Sequence, residues 1–249
     1  YIMMWVAKFQ RIPAIFCVMH ELRTMTNIGR RLLAAALWKD NIYFAGVSNA
    51  VRDDLRKSLW RLPQDHIVTL YNVIDTDLTE PQLLSRSDAR AALKLSDQDF
   101  IFGSIGRLAR NKDQATLIQA FTIIKPYCPH AKLIIMGDGE LESQLRQQIQ
   151  ANGLTNDVIL TGFVPNAVNY IKAFDCFVLP SIQEAFGRVL IEAMLAKCPI
   201  IASAVNGIPE VMGDTGTLIQ PRDAAGFAAA MKNVFLLTPE EREKLAEKA

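Results

Sequence analysis

Apolar residues in this chain gather into short unbroken runs, separated by stretches in which apolar positions recur with helical spacing. The runs are "IPAIFCVMH", "IYFAGVS", "IVTLYN", "FIFGSIGR", "AKLIIMGD", "VILTGFV", "CFVLPS", "PIIASA" and "GTLIQ". Runs that are hydrophobic throughout, rather than at alternate positions, predict strands covered by helices on both faces, and therefore parallel sheets. The intervening stretches carry helix punctuation. "DQATLIQAFTIIKPY" opens on Asp113 and is stopped by Pro126, and "GELESQLRQQIQANG" ends on Asn152 and Gly153. Further helices are expected at the two ends, in "YIMMWVAKFQR" and "TPEEREKLAEKA".

Alternation of strand and helix predicts α/β architecture of the doubly wound, Rossmann-like kind. One segment breaks the alternation: "TDLTEPQLLSRSDARAALKLSDQD" is polar, contains Pro81 and Ser-Asp turn signals, and has room only for a short helix at "SDARAALKL". It divides the chain into a first unit over 1–77, a linker over 78–97 and a second unit over 98–249. Three expected strands fall in the first unit and six in the second. So small a first sheet suggests the back half of a larger domain, and the chain has the character of a fragment.

Composition narrows the classes. With 249 residues, half of them hydrophobic, the chain can bury two ordinary cores. Its net charge of +1 gives no reason to expect nucleic acid. Cys17, Cys128, Cys176 and Cys198 lie far apart, in or beside apolar runs. Such spacing fits buried thiols in a reducing, cytoplasmic setting better than a metal or redox centre. Lys8, Arg11, Asp138 and Asp175 interrupt the apolar stretches before the roughly 20 residues that a bilayer crossing needs. No membrane span and no signal sequence are expected.

Ligands of doubly wound sheets bind beyond the carboxyl ends of the strands, so candidate chemistry is sought there. The first strand of the second unit ends in "GSIGRLARNKD". Gly106 permits close backbone approach, and Arg107 and Lys112 flank a turn before a helix, where both can converge on a diphosphate. Alternatively, Arg107, Arg110 and Lys112 solvate a loop. The next two ends, "MGDGEL" with Gly137 and "LTGFVPN" with Phe163 and Val164, suit a nucleotide and its planar base, or ordinary turns.

"EAFGRVLIE", Glu184 to Glu192, places two carboxylates around a glycine and an arginine just after a strand. With a helix beginning near Phe186, Glu192 lies about two turns inside it, and at about 1.5 Å per residue the two acids stand roughly 12 Å apart. That span matches a nucleotide sugar. The amides of Ala185, Phe186 and Gly187 would face the diphosphate, the inner acid a ribose and the outer one the sugar. The competing reading makes Glu184 a helix N-terminal acid favoured by the dipole and Glu192 a solvated helix residue. Glu192 fits it poorly, since "VLIEAMLA" offers little polar face.

In this order and spacing, "GSIGRLARNKD", "MGDGEL", "LTGFV", "LPSIQEAFGRVLIEAMLAKCPIIASAVNGIPEVM" and "GTLIQPRD" resemble the nucleotide-sugar domain of glycosyltransferase family 4, retaining enzymes with the two-domain GT-B fold. "VMHEL", "AGVSNAVRDDL" and "VTLYNVIDTD" resemble, more loosely, the last strands of that family's N-terminal domain. The resemblance implies that Arg107 and Lys112 bind the donor diphosphate, with Gly106 beside them. It puts Glu184 at the donor sugar next to the amides of Phe186 and Gly187, Glu192 on the ribose, and Gly137 and Val164 along the nucleotide. His20 matches a histidine that reaches toward the donor sugar, or is a structural strand-end residue. His66 and His130 match nothing and are expected on the surface. No cofactor or metal is implied, because the nucleotide sugar is a substrate.

The resemblance further implies a glycan or lipid-linked acceptor, as in cell-surface polysaccharide or lipopolysaccharide synthesis. The family's N-terminal Gly-rich loop and crossing C-terminal tail have no counterpart here, so the 249 residues are expected to bind donor weakly and turn over poorly. "TNIGRRLLAAALWKD" can form a helix with Arg30, Arg31 and Lys39 beside an apolar face. That helix either rests peripherally on an anionic membrane or lies in the core with charged ends. Two rivals stay open: a GT-B nucleotide-sugar epimerase, whose additional acid and base residues are not evident, and a non-catalytic nucleotide-sugar-binding module.

Overall fold

The computed structural model describes residues 2–6 and 12–247. The chain divides into two compact units between Val73 and Ile74.

In the first unit β1 (Ile15–Met19), β2 (Ile42–Gly46) and β3 (Ile67–Thr69) form a parallel sheet in the order β1-β2-β3. The opening helix, α1, is described over Ile2–Val6, and residues 7–11 of that expected helix lie outside the described residues. The crossovers are α2 (Ile28–Leu37) and α3 (Asn49–Ser58). Their first turns are held by the Asn27 and Ser48 side chains, which accept from the amides of Arg30 and Val51. His20 stands exposed just beyond the end of β1. The expectation of a surface His66 is corrected. Its ring stacks on Tyr43 at 4.6 Å, meets Trp38 edge-on, and its Nδ1 lies 3.1 Å from the Ile42 carbonyl. Periodicity overlooked this because the stacking partner sits on a neighbouring strand. His130 is exposed, as expected. Nor is α2 a core helix. It buries only Ala34 and Leu37, and Lys39 falls beyond its end.

The second unit begins with α4 (Thr76–Thr79) and α5 (Arg86–Ala92). Then come β4 (Phe100–Ile105), α6 (Gln114–Ile124), β5 (Ala131–Met136), α7 (Glu142–Ala151) and β6 (Val158–Leu160). A 3-10 segment, Ala167–Ala173, leads to β7 (Cys176–Leu179), α8 (Arg188–Leu195), β8 (Ile200–Ser203), α9 (Ile208–Met212) and β9 (Thr217–Ile219). The helices α10 (Ala224–Leu236) and α11 (Pro239–Ala246) close the unit. All six strands are parallel, in the order β6-β5-β4-β7-β8-β9. That is the Rossmann order, with its reversal between β4 and β7.

Alternate residues of each central strand enter different cores. Phe100, Phe102, Leu133, Ile135 and Val178 join α6, α7 and α10 on one face. Ile101, Ile134, Met136, Phe177 and Leu179 join α8 and α9 on the other. The double covering explains why the strands are apolar at consecutive positions. Three of the four cysteines, Cys128, Cys176 and Cys198, are buried and Cys17 is half-buried.

The segment expected as a linker is instead packed into the second unit. Arg90, in the middle of it, is 2% exposed. It donates to the carbonyls of Ala173 and Ser96 at 3.2 and 2.8 Å, and also to that of Asp99. Asp175 lies 3.4 Å from it and accepts in addition from Arg86 and from the Ile101 amide, both at 2.7 Å. Polar composition concealed this because the residue that anchors the segment is itself charged.

Removing one partner of a buried ion pair leaves the other uncompensated. Arg90→Ala is therefore expected to lower stability by about 3–5 kcal/mol. Arg86→Ala, at a half-exposed side chain, should cost under about 1 kcal/mol. Equilibrium denaturation of the two variants checks the difference.

Candidate functional site

At the β4–β7 reversal the two strands diverge beyond their carboxyl ends and their loops face each other. Gly106 follows β4, and the stem of Lys112 passes over it, with Cδ 4.0 Å from where a Cβ would stand. The Lys112 ammonium reaches across to Glu184 Oε2 at 2.5 Å. Both side chains are mostly buried, at 22% and 14% exposure. Ser181, fully buried, donates to the same oxygen at 3.3 Å. The amide of Ile182 donates to the Asn111 carbonyl at 2.9 Å, so the two loops are joined along the main chain as well. Asn206, from the loop after β8, accepts from the Glu184 amide at 3.3 Å, and the Gly207 amide donates to the Glu184 carbonyl at 3.2 Å.

Arg107 does not join this pair. Its side chain is exposed, and its guanidinium has neither hydrogen bond nor ion pair among the described residues. Its carbonyl, in contrast, is held by Gln114 Nε2 at 3.0 Å. The backbone is therefore fixed while the cation is available. Arg110 is likewise exposed.

The ends of β5 and β6 close the floor. Gly137 pairs with Gly162 in an isolated bridge and donates to its carbonyl at 2.9 Å. Its φ is +140°, and a Cβ there would stand 2.2 Å from the Gly106 carbonyl oxygen. Only glycine allows the two strand ends to approach so closely. Val164 is half-buried against the core, while neighbouring Phe163 is 71% exposed.

The structure corrects the expected start of α8. The helix begins at Arg188, because Gly187 takes φ +91° and caps it in a left-handed conformation. Glu184 therefore lies in a loop four residues before the helix, and Glu192 about one turn inside it, so the roughly 12 Å axial estimate loses its basis. The Ala185 and Gly187 amides have no acceptor among the described residues. Phe186 is buried, at 6% exposure. Glu192 is 15% exposed, with Arg188 3.9 Å away. Burial pushes its carboxyl above the ordinary range, and Arg188 offsets only part of that.

Of the residues singled out from sequence, Gly106, Lys112, Gly137 and the 184–187 loop thus come together around the reversal, with Arg107 beside them. His20 belongs to the first unit. Asp113 caps α6 differently from expectation: it adopts φ +50° and its carboxylate takes the Thr116 hydroxyl at 2.7 Å rather than a backbone amide. Ser181, Asn111 and Asn206 were not foreseen. The Asn-Gly turn in "VNGIPE" was the one available signal for Asn206, whose φ is +47°. Among the described residues no group of three or more His, Cys, Asp or Glu could hold a metal ion. No helix among them is long and apolar enough to cross a membrane.

The raised Glu192 carboxyl has a consequence for stability. In the unfolded chain it ionises in the ordinary range, whereas the folded chain keeps its proton to higher pH. Its ionised form therefore costs stability above that window and nothing below it. Glu192→Gln is expected to melt higher than the parent at neutral pH. That advantage should shrink as pH falls through the raised carboxyl range and vanish below the ordinary one, as thermal unfolding against pH would show.

The chain is similar to known proteins. The chain is 29% identical over 208 residues to alpha-D-kanosaminyltransferase of Streptomyces kanamyceticus, covering 82% of this chain and 53% of that protein. It is 32% identical over 169 residues to the N-acetylgalactosamine-N,N'-diacetylbacillosaminyl-diphospho-undecaprenol 4-alpha-N-acetylgalactosaminyltransferase of Campylobacter jejuni, covering 67% of this chain and 43% of that enzyme. The chain thus spans about half the length of these curated relatives. Anabaena HepE, solved with UDP-glucose, superimposes with a TM-score of 0.78 at 25% identity, over 94% of this chain and 65% of that one. Such neighbours identify the architecture as GT-B, with two Rossmann-like units. Residues 85–249, the stretch that holds the Lys112–Glu184 pair and both glutamates, match the glycosyl transferases group 1, and the chain belongs to that family.

Proposed function

We propose that this chain carries the donor-binding unit of a retaining glycosyltransferase of family 4. In this reading a sugar moves from a nucleotide-diphosphate sugar to a glycan or lipid-linked acceptor, on the cytoplasmic side, in cell-surface polysaccharide or lipopolysaccharide synthesis. The observation that carries the reading is the joining of Lys112 and Glu184 across the strand reversal at 2.5 Å, beside an exposed Arg107. The names of the similar proteins support it: a kanosaminyltransferase, a transferase acting on a diphospho-undecaprenol acceptor, and a protein bound to UDP-glucose.

A diphosphate entering the crevice offers Lys112 a second anionic partner and gives Arg107 its first. The Ala185 and Gly187 amides, together with the start of α8, add donors on the same side. Glu184, released from part of its pairing, is left to orient sugar hydroxyls. Glu192, mostly buried and reluctant to ionise in the free protein, gains from the two hydroxyl donors of a ribose what it lacks here. Gly137 and Val164 would border the nucleotide. In the transfer step the bond from the anomeric carbon to the diphosphate oxygen breaks as the acceptor oxygen bonds to that carbon on the same face, and the acceptor's hydroxyl proton passes to the departing diphosphate. The charge that collects on the departing diphosphate is stabilised by Arg107, Lys112 and the amides, which are already in place.

The experiment is calorimetric titration of the chain with uridine, guanosine and adenosine diphosphates and their sugars. One nucleotide series should bind, and Arg107→Ala and Lys112→Ala should each weaken it by about tenfold or more, the loss of a charge-assisted contact. A folded chain that binds no series, or binds equally well after both substitutions, would overturn the reading.

The alternative of a non-catalytic nucleotide-sugar-binding module is separated by Glu184→Gln. In a transferase this substitution should lower turnover more than donor affinity, whereas a binding module has no turnover to lower.

A further inference from the structure

Arg188 is the first residue of α8, and by the ordinary rules of helix formation it is badly placed there. The macrodipole leaves partial positive charge at a helix N-terminus, so a cation in the first turn is disfavoured. No acidic residue shares that turn to compensate it. Its ion-pair partner is Glu192, one turn further in, with Nη2 3.9 Å from Oε1. Arginine ahead of glutamate is also the weaker order for a pair four residues apart. Helix stability therefore gives no account of this residue.

The asymmetry of the pair points to the carboxylate instead. Arg188 is 61% exposed and Glu192 15%, so desolvation falls on the acid while the cation stays hydrated. The elements packed against α8 are the 3-10 segment, with Tyr170 and Lys172, α9, with Glu210, and β8, which carries no titratable group. The Lys112–Glu184 pair stands before the helix. Among the described residues the charge that acts on the Glu192 carboxyl is that of Arg188, opposing the burial that raises it. We propose that Arg188 is a positioning residue of the donor site, holding Glu192 as a carboxylate aimed at the ribose hydroxyls. This rests on the ribose-binding reading of Glu192. An ionised carboxylate only accepts and can take both hydroxyls, whereas a protonated one spends an oxygen as a donor. Arg188 itself needs no contact with the nucleotide.

The test compares the affinities of uridine diphosphate and its 2'-deoxy form for the chain across pH, with the guanosine and adenosine pairs alongside. Their ratio isolates the ribose contact, because titration of the diphosphate is common to both. In the parent the ribonucleotide should bind about tenfold tighter where Glu192 is ionised, the worth of one hydroxyl donating to a charged acceptor. The ratio should fall toward one as pH drops through the raised carboxyl range. Arg188→Ala should move that fall to higher pH, Arg188→Lys should return it close to the parent's position, and Glu192→Gln should flatten the ratio. A residue that merely steadied α8 would weaken both nucleotides alike and leave the ratio where it was. In the free chain the carbon-13 signal of the Glu192 carboxyl, assigned by its loss in Glu192→Gln, should also titrate at higher pH in Arg188→Ala. An unmoved carboxyl midpoint, or a ratio whose pH dependence ignores Arg188, overturns the proposal. If that happens while nucleotide still binds and Arg107→Ala weakens it, the donor-site reading survives; binding of no nucleotide ends both.

Discussion

The seam between β4 and β7 is short, with only Phe102 opposite Cys176 and Gly103 opposite Phe177 in register. Everything at the candidate site depends on holding it. Asp175 does so from below: its carboxylate takes the Ile101 amide and two arginines, while its own amide donates to the Ile101 carbonyl at 2.8 Å. At the far end Lys112 and Glu184 do the same from above. The crevice is thus pinned at both ends of a seam that the backbone ladder alone would fasten weakly. The buried arginine is tolerable because its donors find carbonyls as well as the carboxylate, which offsets much of its desolvation.

This arrangement also sets the electrostatics. In the free protein the lysine and the loop glutamate neutralise one another, leaving Arg107 as an exposed cation, while burial raises the pKa of Glu192. An incoming dianion would displace a contact already formed by the protein rather than order a loose side chain, so less conformational entropy is lost on binding.

Much of this was legible in the sequence. All nine strands among the described residues follow from unbroken apolar runs, and in the central strands burial on both faces leaves no polar alternation to confuse them. The strand ends then located Gly106, Lys112, Gly137 and Glu184. Two of the features that stayed hidden share a cause, namely contacts made across the chain rather than along it. Arg90 looked like a solvated linker residue because one of its acceptors lies 83 residues downstream and another only a short loop downstream. His66 looked unattached because its stacking partner is on β2. The start of α8 was placed two residues early because helix-forming residues precede Gly187, and nothing local announces that this glycine turns left-handed.

Lys112 stands just before α6, which packs on one face of the sheet, and Glu184 just before α8, which packs on the other. The contact between them is therefore a gauge of how the two helical layers are set against the strands. Changes at Phe121 or Leu190, which lie in the two cores and outside the loops that form the crevice, alter the gap that the ammonium must bridge. Sequence drift in either core is then coupled to the crevice through geometry alone. Relatives with the same charged residues can differ in how tightly those residues meet, and compensating changes would be found between layers that share no direct contact.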